Sequence, residues 1–186
     1  GVPVHAADTY LSRLIRKGFR VAVCEQTEDP AEAKKRGGKS VVQRAVVRLV
    51  TPGTLTEETL LDARANNYLA VLARVRGAHA LAWLDLSTAE FLTTRIGVEA
   101  IASELARLSP GELVVSDSVL AEPEADTGGG EWRQDWAERI TPYADARFDS
   151  GSGERRLQAL FKVAALDAFG DFSRAELAAC GALVEY

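Results

Sequence analysis

Residues 68–95 constrain the fold more than any other stretch. Three apolar runs, Tyr68 to Val75, Ala78 to Leu86 and Glu90 to Arg95, are separated only by Arg76-Gly77 and by Ser87-Thr88 with its neighbour. Connections that short leave no room for a crossover, so the runs predict an antiparallel meander of three strands. A helical stripe follows at Val98, Ile101, Ala102, Leu105 and Leu108, and Ser109-Pro110-Gly111 ends it. Glu112 to Ser116 and Glu138 to Thr141 read as two further short strands. Leu157, Leu160, Phe161 and Ala164 mark another helix. Ser173 and Glu176 have capping-box spacing and open a last helix, with Leu177, Cys180, Leu183 and Val184 on its stripe. Three strands, a helix, two strands and then helices predict an α/β fold. Residues 122–131, acidic and glycine-rich, read as a surface loop between these elements.

The first fifty residues read as a separate module. Pro3 biases Val2 toward extended chain, and residues 6–17 form an amphipathic helix with Ala7, Tyr10, Leu11, Leu14 and Ile15 on one stripe. Arg16 and Lys17 suit its negative end and Gly18 stops it. Arg20 to Glu25 reads as a strand apolar on both faces, hence buried. Pro30 opens a short helix, Lys34 to Lys39 forms a basic loop, and Val41 to Val50 is a strand with Arg44 and Arg48 on one face. Thr51-Pro52-Gly53-Thr54 is a turn, Thr54 and Glu57 have capping-box spacing, and Leu60-Leu61 looks like an anchor pair. The expected organisation is therefore residues 1–50, a linker at 51–65, and a second module at 66–186. No internal repeat appears.

Charge divides the chain in the same place. Residues 1–50 carry ten Lys/Arg and five Asp/Glu, a net of +5; the rest carry twelve against twenty-two, a net of −10. A basic module can meet nucleic-acid phosphates, whereas an acidic one of ordinary hydrophobicity suits protein contact. No apolar run approaches a membrane span, which argues against a membrane partner. The chain has no methionine, and its apolar helical pattern still runs at Tyr186. Both features lead us to expect a piece of a longer protein. Two cysteines without metal or redox spacing, Cys24 and Cys180, fit a reducing, cytoplasmic setting and read as small buried hydrophobes.

Few residues qualify for chemistry. Asp85, near the end of a strand in Leu84-Asp85-Leu86-Ser87-Thr88, is the one suggestive acid for a metal-dependent nuclease, and its alternative role is to form the turn. Its carboxylate partners are not identifiable among Glu90, Glu104 and Asp167. His5 stands at a helix start, where it could cap the helix or approach a phosphate; His79 stands near a hairpin, half exposed. The basic loop lacks the Gly-Lys-Ser/Thr ending of a phosphate-binding loop. Trp83 is a core residue, and Trp132 and Trp136 pack the acidic loop down.

Three segments in the first module and boundary, Gly1-Val2-Pro3-Val4-His5-Ala6, Ala22-Val23-Cys24-Glu25-Gln26 and Val50-Thr51-Pro52-Gly53-Thr54-Leu55, strongly resemble the MutS family of bacterial DNA mismatch-recognition proteins. Leu84-Asp85-Leu86-Ser87-Thr88-Ala89-Glu90-Phe91 and Ala178-Ala179-Cys180-Gly181-Ala182-Leu183 extend the resemblance through the chain. It implies that residues 1–50 are the rear part of a mixed α/β mismatch-binding domain. Residues 66–186 would then be a connector domain, ribonuclease-H-like in fold and without nuclease activity, running into the first lever helix. It also implies that the family's mismatch-reading Phe-x-Glu element and its ATPase lie outside this chain. ATP and magnesium would thus serve the parent protein, and this segment would hold no cofactor. No residue here is assigned a catalytic, nucleotide-binding or metal role. Val2, Pro3 and His5 are the positions implied to approach the DNA backbone. The partners implied are mismatched double-stranded DNA, MutL and a second copy of the parent. Two alternatives stand beside this reading: a nuclease built on Asp85, and a free-standing protein-interaction domain using the acidic module.

Overall fold

The computed structural model describes residues 1–37, 41–56, 66–123 and 129–186, which fall into two compact units, Gly1–Pro52 and Gly53–Tyr186. The expected capping box at Thr54/Glu57 and the Leu60-Leu61 anchor involve residues outside this set, as do Gly38 and Lys39 of the basic loop.

In the first unit a 3-10 turn at Val4–Ala6 runs into α1 (Ala7–Ile15), and β1 (Val21–Gln26) pairs antiparallel with β2 (Arg44–Val50). Gly18 ends the α1 region at φ +78°, a conformation that costs glycine little. Leu11 and Ile15 are buried, whereas Tyr10 and Leu14 stay exposed, so the predicted stripe is covered along only part of its width. Between the strands lies α2 (Pro30–Lys35), with the Asp29 side chain accepting from the Ala31 amide at 2.7 Å and Pro30 in the first turn. Lys34 and Lys35 therefore belong to a helix, not to the basic loop expected.

The small sheet corrects three further expectations. Burial of β1 on both faces would need cover on both. Among the described residues the sheet has two strands, and Ala22, Cys24 and Gln26 are exposed. Cys24 is thus a surface thiol. Arg44 and Arg48 also part company. Val23 pairs with Arg48 but Cys24 pairs with Val46, so Val47 is an extra residue that reverses the alternation. Arg44 shares the exposed face with Cys24 and Val46; Arg48 shares the other with Val21, Val23 and Val50, which are half-buried or buried.

The second unit is built on β3 (Tyr68–Val75), β4 (Ala78–Asp85), β5 (Glu90–Ile96), β6 (Glu112–Ser116) and β7 (Ile140–Tyr143), in spatial order β5-β4-β3-β6-β7. The first three strands form the predicted meander, and β6 and β7 add parallel to β3. This mixed sheet with its second strand reversed is the ribonuclease-H-like arrangement implied by the resemblance. Helices cover both faces, which is why β3, β4 and β6 read as nearly unbroken apolar runs. Leu69, Val71, Ala80 and Val114 face α6 (Ser150–Phe161) and α7 (Arg174–Glu185). Ala70, Leu72, Leu81, Trp83 and Val115 face α3 (Ile101–Leu108), α4 (Asp117–Ala121) and α5 (Glu131–Asp135).

The capping box of α7 forms as predicted. The Ser173 hydroxyl accepts from the Glu176 amide at 3.2 Å, and Glu176 accepts from the Ser173 amide at 2.8 Å. Arg95 of β5 donates its Nε to the same carboxylate at 2.9 Å, so the cap also ties α7 to the sheet. Other elements depart from expectation. Helix α6 begins at Ser150, seven residues before the first apolar marker, and Gly151 and Gly153, which oppose helix in isolation, hide that start in the sequence. Gly153 has a reason to be there: a Cβ on it would run into the Leu177 carbonyl, and one on Gly181 would run into the Gly153 Cα. Helices α6 and α7 therefore touch backbone to backbone. Helices α4 and α5 are too short to show a period, and β7 starts two residues later than predicted.

Candidate functional site

The N-terminal segment of the first unit stands open to solvent. Val2 is 53% exposed and Val4 93%, and Pro3 and His5 are exposed beside them. His5 lies inside the 3-10 turn, and the helix that follows has no side-chain cap, so His5 does not cap it. Arg13 on α1 and Arg16 and Lys17 in the turn just after it are exposed, which gathers three positive charges at the C-terminal end of the helix. These exposures on a unit of net positive charge form an electrostatic surface.

Asp85 is buried, and both of its carboxylate oxygens are engaged, one by the turn after β4 and one by the residue that precedes β3. Oδ1 accepts from the Ser87 amide at 2.8 Å and from the Ser87 hydroxyl at 2.6 Å, while Oδ2 accepts from the Asn67 amide at 3.1 Å. Burial works to raise its pKa, but the bonds from Ser87, Asn67 and Thr88 together outweigh it and hold the group below its usual 3.8. Among the described residues no three His, Cys, Asp or Glu side chains converge on a metal position. Asp85 thus has the geometry of a turn anchor. We expect Asp85→Asn to cost about 2 kcal/mol, because an amide donor then faces main-chain donors. The depressed pKa gives a pH signature as well. Its stabilisation is complete above about pH 4–5 and is lost as pH falls through the folded-state pKa. Urea midpoints at pH 3 and pH 6 should therefore differ more in the parent chain than in Asp85→Asn.

Three other titratable groups with shifted pKa values, His79, Cys180 and Tyr68, lie apart from one another. His79, expected half exposed, is 7% exposed: it pairs with Arg74 across the β3–β4 hairpin and points to the face covered by the shorter helices. Burial first, and the Arg74 charge second, lower its pKa, with Glu122 opposing; it is neutral at pH 7. Burial pushes the Cys180 thiol up to about 11, which leaves it unreactive at neutral pH. Tyr68 donates to Glu90 at 2.7 Å, and that bond raises its pKa.

One constellation was missed in the sequence. Glu112, at the start of β6, is only 2% exposed. Its Oε1 accepts from the Thr141 hydroxyl at 2.7 Å and the Tyr186 phenol at 2.6 Å, and its Oε2 from the Gly53 amide at 3.2 Å. The available signal was a lone acid placed directly before the apolar run Leu113-Val114-Val115, where an unpaired charge would be costly.

Comparison with known proteins gives two family matches, in order along the chain. The model described as MutS domain I matches residues 1–59, and that described as MutS domain II matches residues 67–186. This chain belongs to the MutS family. Relatives named DNA mismatch repair protein MutS cover all of it. The protein of Cereibacter sphaeroides is 58% identical over 186 residues, that of Roseobacter denitrificans 56% over 186, and that of Nitrobacter winogradskyi 53% over 191. The chain spans about a fifth of the length of these MutS relatives, 20% of the first two and 21% of the third. Among the described residues no helix is long and apolar enough to cross a membrane.

Proposed function

We propose that this chain is a non-catalytic segment of a cytoplasmic DNA mismatch-repair protein. The first unit belongs to the mismatch-binding domain and the second is the connector. The observation that carries this reading is the end-to-end similarity, at 58% identity, to a protein named for mismatch repair. In this role Val2, Pro3 and His5 approach the DNA backbone, and Arg13, Arg16 and Lys17 add favourable potential toward phosphates. Mismatch reading, ATP and magnesium binding, and ATP hydrolysis belong to other parts of the parent. The second unit transmits between those parts and offers surface to MutL within a homodimeric parent. Burial of Asp85 and its three bonds, two from Ser87 and one from Asn67, support a structural connector over a nuclease.

The chain alone should bind matched duplex weakly, with log K falling by about 0.9 per phosphate contact for each unit of log salt. Fluorescence anisotropy with a labelled duplex at 50 and 200 mM salt measures this. Reversing charge at Arg13, Arg16 and Lys17 should weaken binding roughly tenfold or more at low salt and flatten the salt dependence. Unchanged binding in that variant would contradict the assigned surface.

A further inference from the structure

Three parts of the second unit that are far apart in sequence meet on the Glu112 side chain. Gly53 is 59 residues away and is where the unit begins; Thr141 is 29 away on β7; Tyr186 is 74 away, following α7. The approach at Gly53 is close because that residue has no side chain: a Cβ would lie 2.8 Å from Glu112 Cβ and 2.9 Å from Leu69 Cδ1. The phenol of Tyr186 is aimed by its ring, which stands edge-on to Tyr143 with centroids 5.4 Å apart. A carboxyl group is planar and rigid, and both of its oxygens are engaged. If Tyr186 shifts and Oε1 follows it, Oε2 turns away from the Gly53 amide.

We propose that Glu112 is a latch that couples the Gly53 end of the second unit to the C-terminal end of α7, so that loosening one loosens the other. It is a positioning residue and takes no part in chemistry. The inference deepens the connector role proposed above, which supplies its purpose: a transmitting domain needs a rigid link between segments far apart in its sequence. The bonds themselves stand without that reading.

The test is amide hydrogen exchange on the 186-residue chain, with no DNA present. Tyr186→Phe keeps the ring and removes only the donor, and Thr141→Val removes the other donor to the same oxygen. Leu157→Ala serves as a control that loosens the α6 face without touching Glu112. The latch predicts exchange at the Gly53 amide about tenfold faster in Tyr186→Phe, and faster also in Thr141→Val, beyond any change at the central amides of β3 and β4. In Leu157→Ala, Gly53 should change no more than those central amides. An unchanged Gly53 rate in Tyr186→Phe, or one that rises only in step with β3 and β4, overturns the latch. Because the assay reads the unit alone, failure to bind duplex would count against the proposed function and leave the latch intact.

Discussion

Gly181→Ala is expected to destabilise the second unit by about 3 kcal/mol or more, the upper range for overpacking. The added methyl would collide with the Gly153 Cα of α6, and its carbonyl carbon and nitrogen lie 3.2 Å from the same Cβ position. These are backbone atoms, so no rotamer change relieves the clash; the two helices must separate. Separation would open the face formed by Ala178, Ala179, Cys180 and Ala182 against the sheet. Gly153→Ala should be about as damaging, since its methyl meets the Leu177 carbonyl across the same crossing. The double variant should cost less than the sum of the two, because helices already driven apart have room for the second methyl. Thermal melts of the three variants measure this, with single-variant shifts on the order of 10 °C. A shift near zero for Gly181→Ala would mean that the helices do not cross this closely.

Glu112→Ala is expected to cost at least about 3 kcal/mol. It strands one main-chain and two hydroxyl donors in a buried site, each worth roughly 1–3 kcal/mol when unsatisfied. Glu112→Gln should fall between the parent and Glu112→Ala. The Thr141 and Tyr186 hydroxyls can turn to accept from the new amide, but the Gly53 N–H cannot reverse its role. Urea unfolding should show the order parent, Gln, Ala in decreasing midpoint with a constant slope. Equal midpoints for Gln and the parent would remove the demand for an acceptor at both oxygens.

What could be read in the sequence was local. The β3–β4–β5 meander, the end of α3 at Ser109 and the Ser173/Glu176 cap each depend on residues within a few positions of one another. The turn role of Asp85 was legible for the same reason, since Ser87 lies two residues on. What escaped depends on distant partners. Gly151 and Gly153 weaken the α6 signal, and the value of Gly153 appears only where Gly181 crosses it. The Val47 bulge separated Arg44 from Arg48, and alternation alone does not show an inserted residue. His79 reads as half exposed from its place beside a hairpin turn, because the helices over that face of the sheet come later in the chain. Cys24 departs the other way: an apolar strand predicts cover that the two-stranded sheet of the described residues does not supply. The proposed DNA-facing residues Val2, Pro3 and His5 rest on the family resemblance, because no period or motif within the chain singles them out.

The most direct test of the account compares one duplex carrying a G·T mismatch with its fully paired counterpart, both titrated with this chain at physiological salt. Under the proposed function this segment contacts the DNA backbone and transmits, while mismatch reading belongs to another part of the parent. Weak binding with equal affinity for the two duplexes is expected. A clear preference for the mismatched duplex would place the reading element within these 186 residues and contradict it.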